Sequence, residues 1–350
     1  MMRSLASLVL VVTLVVPHVL WSQETSDPNS PREVALVIHP ARIDVGRPAL
    51  TLLPKAEDLI DEEGTAFYAK AAQTLPPSLQ QAQLTYWLNE PFNSLVLDQA
   101  DVQAALQQAK ASIEWVERGA ICKNCNWPAY VLGRMPANLS EYRRLQHLLC
   151  LRARIEIVQS QFDKAARTIG IGLAMSKHFG EGPTAVQGMT GAAMATLLLR
   201  PVDDWVQVRG SPNLYSALHA LPRPVVDVNV GISAEMKTVE ASPKYNAMVK
   251  WVYRRQMQST LALGLRWMER LEGFVAALEC IEGLRHFAAC HDGRLPAQLG
   301  DVMDIELPND PATGKSFAYH LEGTRAILEV APPKDGGPRD SVRYEITVAP

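Results

Sequence analysis

Leu271-Glu272-Gly273-Phe274-Val275-Ala276-Ala277-Leu278-Glu279-Cys280-Ile281, followed beyond Gly293 by Phe317-Ala318-Tyr319-His320-Leu321, marks the place where the chain changes its period. In the first stretch Leu271, Phe274, Val275, Leu278 and Ile281 recur at helical spacing and make one apolar stripe. In the second, apolar residues flank Glu322-Gly323-Thr324, and Val342, Tyr344, Ile346 and Val348 alternate strictly with polar ones. That pattern predicts three short antiparallel strands. A long helix from about Lys244 to Ala289, stopped by Gly293 and open to kinking at Gly264 and Gly273, leads into them.

Towards the N-terminus, helical stripes separated by Pro, Gly and Asn dominate from about Pro54 onward. Val102, Leu106, Ala109, Ile113 and Val116 form one stripe behind an N-cap at Asp98 or Asp101, and Gly119 is placed to end it. Ser140 is placed to cap a helix carrying Leu145, Leu148, Leu149, Arg152, Ile155 and Val158; after Gln159-Ser160-Gln161 another begins near Phe162. Helices joined this tightly lie antiparallel. Ser211-Pro212 reads as N-cap and first-turn proline of a short helix with Leu214, Tyr215, Leu218 and Leu221. Between Gln23 and Pro54 only Val34-Ala35-Leu36-Val37-Ile38 suits a strand or a docking segment. The fold class is therefore mainly α: an irregular stack of helical hairpins with a small C-terminal α+β module. Its divisions are 1–22, a signal peptide; 23–54, an extended segment; 55–268, a helical domain; and 269–350, the long helix with its sheet.

The signal reading rests on Arg3, the uncharged apolar run from Leu5 to Val16, Pro17, and Ser22 before a polar Gln23-Glu24-Thr25. The run is shorter than the roughly 20 residues of a spanning helix, so no membrane span is expected after cleavage. The expected location is the periplasm or the extracellular space. Composition agrees with a globular chain: 47% hydrophobic residues, with 34 basic and 37 acidic residues leaving a net charge of -3. Such a balance gives no global pull toward nucleic acid or anionic lipid and argues against nucleic acid as a partner.

Five cysteines, Cys122, Cys125, Cys150, Cys280 and Cys290, would meet an oxidising compartment. Cys280 and Cys290 are ten residues apart in one predicted helix, about 15 Å of rise, too far for a disulfide. Cys122-Lys123-Asn124-Cys125 favours a structural disulfide or buried thiols. Redox exchange and half a zinc site stay open, although the sequence offers no strand-helix context and no second ligand pair. Thr313-Gly314-Lys315-Ser316 ends like a phosphate loop, but Asn309 stands where its first glycine belongs. Gly170-Ile171-Gly172 lacks the third glycine of a dinucleotide turn, and no His-Glu-x-x-His or Gly-x-Ser-x-Gly occurs. His286 and His291 fall on different helix faces, and Glu269, Glu272, Glu279 and Glu282 read as a solvated face. No catalytic, cofactor-binding or metal residue follows from these patterns.

Gln161-Phe162-Asp163-Lys164-Ala165 resembles the second-helix opening of a tetratricopeptide-type repeat, without a second copy at the 34-residue period of that family. Ser211-Pro212-Asn213-Leu214-Tyr215-Ser216-Ala217-Leu218 with Leu221-Pro222-Arg223-Pro224, preceded by Cys125-Asn126-Trp127 and Phe162-Asp163-Lys164-Ala165, resembles uncharacterised exported proteins of planctomycete-type bacteria. This resemblance covers Cys122 to Asp227, more loosely to Glu235. It implies a shared surface on Asn213, Tyr215, Pro222, Pro224, Asp227 and Glu235, and no activity. His291-Asp292-Gly293-Arg294-Leu295-Pro296, Leu307-Pro308-Asn309-Asp310-Pro311-Ala312-Thr313-Gly314-Lys315 and Tyr319 are similar to the globular part of type II secretion pseudopilins. That family joins a long helix to a small antiparallel sheet. Its calcium loop is only faintly echoed by Asp335-Gly336-Gly337 with Asp340, so no cofactor is assigned. More than two hundred residues precede the module here, which implies a borrowed module and not a pilin subunit. The expected role is non-enzymatic, binding or scaffolding a protein or peptide partner in the cell envelope. The alternatives are an enzyme of unrecognised type, with its site between helical body and C-terminal module, and an envelope assembly factor.

Overall fold

Alternation in Arg32–Ile38 turns Val34, Leu36 and Ile38 inward and leaves Glu33, Ala35 and Val37 exposed, the signature of a strand with one covered face. In the computed structural model, which describes residues 30–43, 50–92, 94, 100–131 and 134–349, this segment is strand β1. Residues 1–22, read above as a signal peptide, and Asp98 lie outside the described residues. Strand β2 (Ile60–Glu63) pairs in parallel with β3 (Cys122–Asn124), and between them run helices α1 (Gly64–Thr74), α2 (Gln81–Asn89), α3 (Ala100–Gln108) and α4 (Lys110–Ala120). The body continues with α5 (Leu139–Val158), α6 (Phe162–Gly180), α7 (Ala185–Leu199) and the short α8 (Pro201–Trp205) and α9 (Tyr215–His219). Helices α10 (Val228–Ala241) and α11 (Ala247–Cys290) lead to β4 (Ala318–Glu322), β5 (Arg325–Val330) and β6 (Val342–Val348). The protein is mainly α.

The expected three antiparallel strands are present, and the segment around Val34 to Ile38, read as a strand or a docking segment, joins them as a fourth. The sheet order is β1-β6-β5-β4, with β4, β5 and β6 antiparallel as neighbours and β1 parallel to β6, Arg32 opposite Val342 and Ile38 opposite Val348. A parallel partner cannot be reached by a hairpin and needs a crossover. Here the crossover is the whole helical body, so no local turn in the sequence could announce the fourth strand.

Helix α11 is 44 residues long, about 66 Å, and runs unbroken through Gly264 and Gly273. Asn246 Oδ1 caps it by accepting the Val249 N–H at 3.0 Å. Leu271, Val275, Leu278 and Ile281 are fully buried, in one core that reaches from Leu36 through the helices to Tyr344 and Ile346. Helices α6 and α7 approach closely enough that a Cβ on Gly191 would stand 2.4 Å from Gly180 Cα. Only glycine fits there.

Three boundaries differ from the sequence reading. The stripe from Val102 to Val116 is split between α3 and α4 by Ala109 alone (φ -83, ψ -2), which keeps the same buried face. Helix α5 begins behind Asn138 in the left-handed region (φ 58), and Ser140 Oγ bonds Glu141 in place of the helix end. Ser211 does not cap α9, because its hydroxyl is held elsewhere.

Replacing Leu278 or Ile281 by Ala removes methyl groups from a filled core and is expected to lower unfolding free energy by about 2–5 kcal/mol in urea titrations. Exposed Ser259→Ala on the same helix is expected to change it by less than about 0.5 kcal/mol.

Candidate functional site

Glu282 and Arg285 stand three residues apart on one face of α11, and that face is turned inward: both side chains are 0% exposed. Charges this deep require partners for every polar atom. Arg285 Nη1 donates to both Glu282 oxygens (2.9 and 2.8 Å), Nη2 to Ser211 O and Oγ (2.9 and 2.7 Å), and Nε to His39 O at 2.8 Å. Burial pushes the Glu282 carboxyl up, against the pull of Arg285 and a backbone N–H from Leu214. Asn213 adds a second clamp: its Nδ2 donates to Ala41 O and Glu282 O, both at 2.9 Å, and its Oδ1 accepts the Tyr215 N–H at 2.8 Å. The turn at Gly210 (φ 81) and the chain leaving β1 are thereby fixed side by side.

These two segments form walls of a cleft of about 1400 Å³, completed by α4 and α6. Arg42, Lys55, Arg118 and Arg167 line it together with Asp58, Glu114, Glu117 and Asp163. Glu117 is held at 2.7 Å by Arg152 from α5. The walls thus present cations and anions interspersed around apolar stretches at Leu50, Leu53 and Ile171.

Of the residues singled out by family resemblance, only Asn213 lines this cleft, and two of them, Tyr215 and Glu235, are buried. Tyr215 is buried with its hydroxyl donating to Glu306 O, and Glu235 is buried between the Ala185 N–H (2.7 Å) and the Tyr253 hydroxyl. Asp227 caps α10 by accepting the Asn229 N–H at 2.9 Å; Pro222 and Pro224 are half-buried in the turn after α9, the Arg223-Pro224 bond being cis. The motif is a set of joints. The glutamates of α11 need a similar correction, since the expected solvated face is covered. Glu279, 2% exposed, bonds His219 Nδ1 (2.7 Å) and Arg223 Nη2 (3.0 Å), while Glu272 accepts the Val225 N–H at 2.8 Å and Arg223 Nη1 at 3.3 Å. Glu269 accepts the Lys334 N–H at 3.1 Å.

Cys122 and Cys125, read above as a structural disulfide or buried thiols, are both free thiols in this structure, as are Cys150, Cys280 and Cys290. The helix N-terminus missing from the neighbouring sequence is supplied from far away, because both cysteines pack against Gly64, where a Cβ would stand 2.6 Å from Cys125 Sγ. Burial, then the Glu63 carboxylate, push the Cys125 thiol up to about 12 and outweigh the Gly64 N–H; the Cys122 thiol is raised as well, chiefly by burial. Thiolate chemistry is thereby suppressed. Burial raises Glu63 itself, but donors from Asn126 (2.9 and 2.6 Å) and Thr65 (3.1 and 2.8 Å) bring it below the usual carboxylate range and tie the cysteine loop to α1.

A second concavity, about 340 Å³, lies between β1, α5 and α8 and is lined by Arg32, Arg154, Arg200, Asp203 and Asp204. Arg154 Nε donates to Asp204 at 2.6 Å while its other nitrogens close the end of α2 through Leu88 O and Glu90 O, both at 2.9 Å. Burial pushes Asp203 up to about 6, opposed by Arg32 and Arg200 and reinforced by Asp204, with the Tyr344 phenol facing it. The sequence reading missed this cluster; its one local trace is the adjacent pair Asp203-Asp204.

The stretch around Lys315 is a turn built on Asp310, whose Oδ1 accepts the Ala312 N–H and whose Oδ2 accepts the Ala331 N–H, both at 2.9 Å. The Asp340 oxygens bond Arg270 (2.7 Å) and the Gly337 N–H (3.0 Å). Among the described residues no group of three or more His, Cys, Asp or Glu is placed to hold a metal. No protein-family model, curated protein or solved structure matches this chain.

Arg285→Met leaves Glu282 buried without its counter-charge and is expected to cost about 3–5 kcal/mol of stability by chemical denaturation. Adding Glu282→Leu is expected to recover most of that loss. Asp203 has its folded pKa raised from 3.8 to about 6, so the folded state holds the proton more tightly than the unfolded chain. Its contribution is present at low pH and is lost as pH rises through about 6, by up to about 3 kcal/mol. Asp203→Asn is expected to flatten this part of the urea-midpoint profile between about pH 4 and pH 7; an unchanged profile would show that Asp203 does not titrate there.

Proposed function

We propose that this chain is an exported, non-enzymatic scaffold that binds an extended peptide or protein segment of the cell envelope in the cleft between the β1 exit, α4, α6 and the Ser211–Asn213 turn. The observation that carries the reading is the cleft itself. At about 1400 Å³ it exceeds the roughly 300–1,000 Å³ of small-molecule sites, and its interspersed cations and anions suit the mixed side chains of a polypeptide. The floor anchored by Glu282 and Arg285 supports it further, because a wall fixed before binding loses little freedom on binding. Export is read from the apolar run Leu5 to Val16 with Ser22 before a polar Gln23-Glu24-Thr25, which would place the chain in the periplasm or outside the cell. The helices form an irregular hairpin stack, tetratricopeptide-like in part, in a chain akin to exported proteins of planctomycete-type bacteria. The helical domain spans 55–268, and the module from 269 onward is pseudopilin-like. An envelope assembly role would follow from that module alone.

An enzymatic reading draws on one observation, the Asp203–Asp204 pair among three arginines, where one carboxyl is pushed up to about 6. The charged groups there already bond one another, as Arg154 does with Asp204, which favours the structural role.

The test is selection of peptides from a random displayed library on the full chain, followed by charge reversal in the cleft. Peptides that bind with micromolar dissociation constants and weaken about tenfold with Arg167→Glu or Glu114→Arg support the reading, a change of about 1.4 kcal/mol. Selected peptides indifferent to both substitutions would sink it.

A further inference from the structure

The two halves of α11 are packed differently. From Leu271 onward nearly every turn is covered, but before Gly264 only one stripe, Tyr253, Met257 and Thr260, faces α10 and its small satellite core. On the opposite side Met248 is 75% exposed and Trp251 is 55% exposed. Met248, Trp251 and Arg255 follow each other at i, i+3 and i+7 and therefore share one face. The Arg255 guanidinium sits over the Trp251 ring, 5.8 Å from its centroid, and leaves the indole more than half exposed.

The charge around this face is as uneven as its packing. Between residues 236 and 259 the chain carries Lys237, Lys244, Lys250, Arg254 and Arg255 against a single acidic residue, Glu240. Glu240 is engaged by Lys250 through its backbone carbonyl at 2.6 Å and by Arg254 through its carboxylate at 2.9 Å. The chain as a whole is net negative, -3, so this end of the molecule opposes the rest in sign.

We propose that the N-terminal half of α11 docks on an anionic lipid surface, with Met248 and Trp251 entering the headgroup boundary and the surrounding lysines and arginines pairing with lipid phosphates. Tryptophan is placed by its amphipathic ring at membrane-water boundaries, and basic residues beside an apolar face are what such a surface selects. Among the described residues no helix is long and apolar enough to cross a membrane, so the chain lies on the bilayer there. The acidic remainder of the molecule is repelled by the same surface, which orients the chain with this end down. A second copy is disfavoured as the occupant, since a two-fold contact would bring a face with a net excess of cations onto itself.

The experiment is co-sedimentation of the full chain with vesicles of phosphatidylcholine alone and of phosphatidylcholine mixed with phosphatidylglycerol, at low and high salt. The expected result is binding to the mixed vesicles that falls steeply with salt. Met248→Ser with Trp251→Ser is expected to weaken binding about tenfold at unchanged charge, and Lys244→Gln with Arg255→Gln at least about tenfold. Circular dichroism melting of both variants, altered only at exposed positions, confirms that they fold. Equal binding to both vesicle types, no binding to either, or indifference to the Met248 and Trp251 substitutions would each overturn the proposal. Self-association in sedimentation velocity that those substitutions abolish, without vesicle binding, would assign the face to a second copy instead.

Discussion

The architecture turns on a guanidinium that has no access to water. Arg285 has a planar fork of five donors, so its burial is tolerated only where acceptors surround it. The acceptors come from three separate stretches: Glu282 one turn earlier on the same helix, Ser211 in the turn before α9, and His39 at the exit of β1. One side chain therefore fixes the long helix, the central turn and the N-terminal segment with respect to each other. The cleft that the last two enclose inherits its shape from that constraint.

The same geometry accounts for the sheet. Because His39 is held on α11 and its N–H bonds Val206 O, the residues before it are delivered to the open edge of β6, where Arg32–Ile38 pair in parallel over seven positions. Arg32 then comes to 4.0 Å from Asp203, in the middle of α8. The N-terminal strand is thus tied at both ends by charge. Along its length it contributes Leu36 and Ile38 to the common core. The small module and the helical body share one apolar interior, which is why α11 is filled on all sides where it passes between them.

Charge in this protein is local. A net balance of -3 suggested indifference to polyanions, yet the opposing groups are sorted: buried Arg–Asp and Arg–Glu sets in the interior, interspersed pairs along the cleft, and an excess of cations at the N-terminal end of α11. Averages over a chain cannot report such sorting, because fold geometry brings together groups far apart in sequence.

The sequence by itself determined the helical class, the start of α6 at Phe162, the burial of Leu278 and Ile281, and the three strands after Gly293, because each rests on periodicity within one segment. Periodicity says which residues share a face; it does not say what covers that face. Glu279 and Glu282 have the spacing of a solvated stripe and are buried, since His219, Arg223 and Arg285 come to meet them. Ser211 and Asn213 have the local signature of a helix start and a motif surface, but serve α11 and the segment after β1. The place of the fourth strand in the sheet, the helix N-terminus beside Cys125, the Arg–Asp cluster and the cleft were decided only by the tertiary structure. Each is made by side chains or strand edges tens to hundreds of residues apart, and the local traces that exist, the alternation of Val34 to Ile38 and the pair Asp203-Asp204, do not say what they will meet.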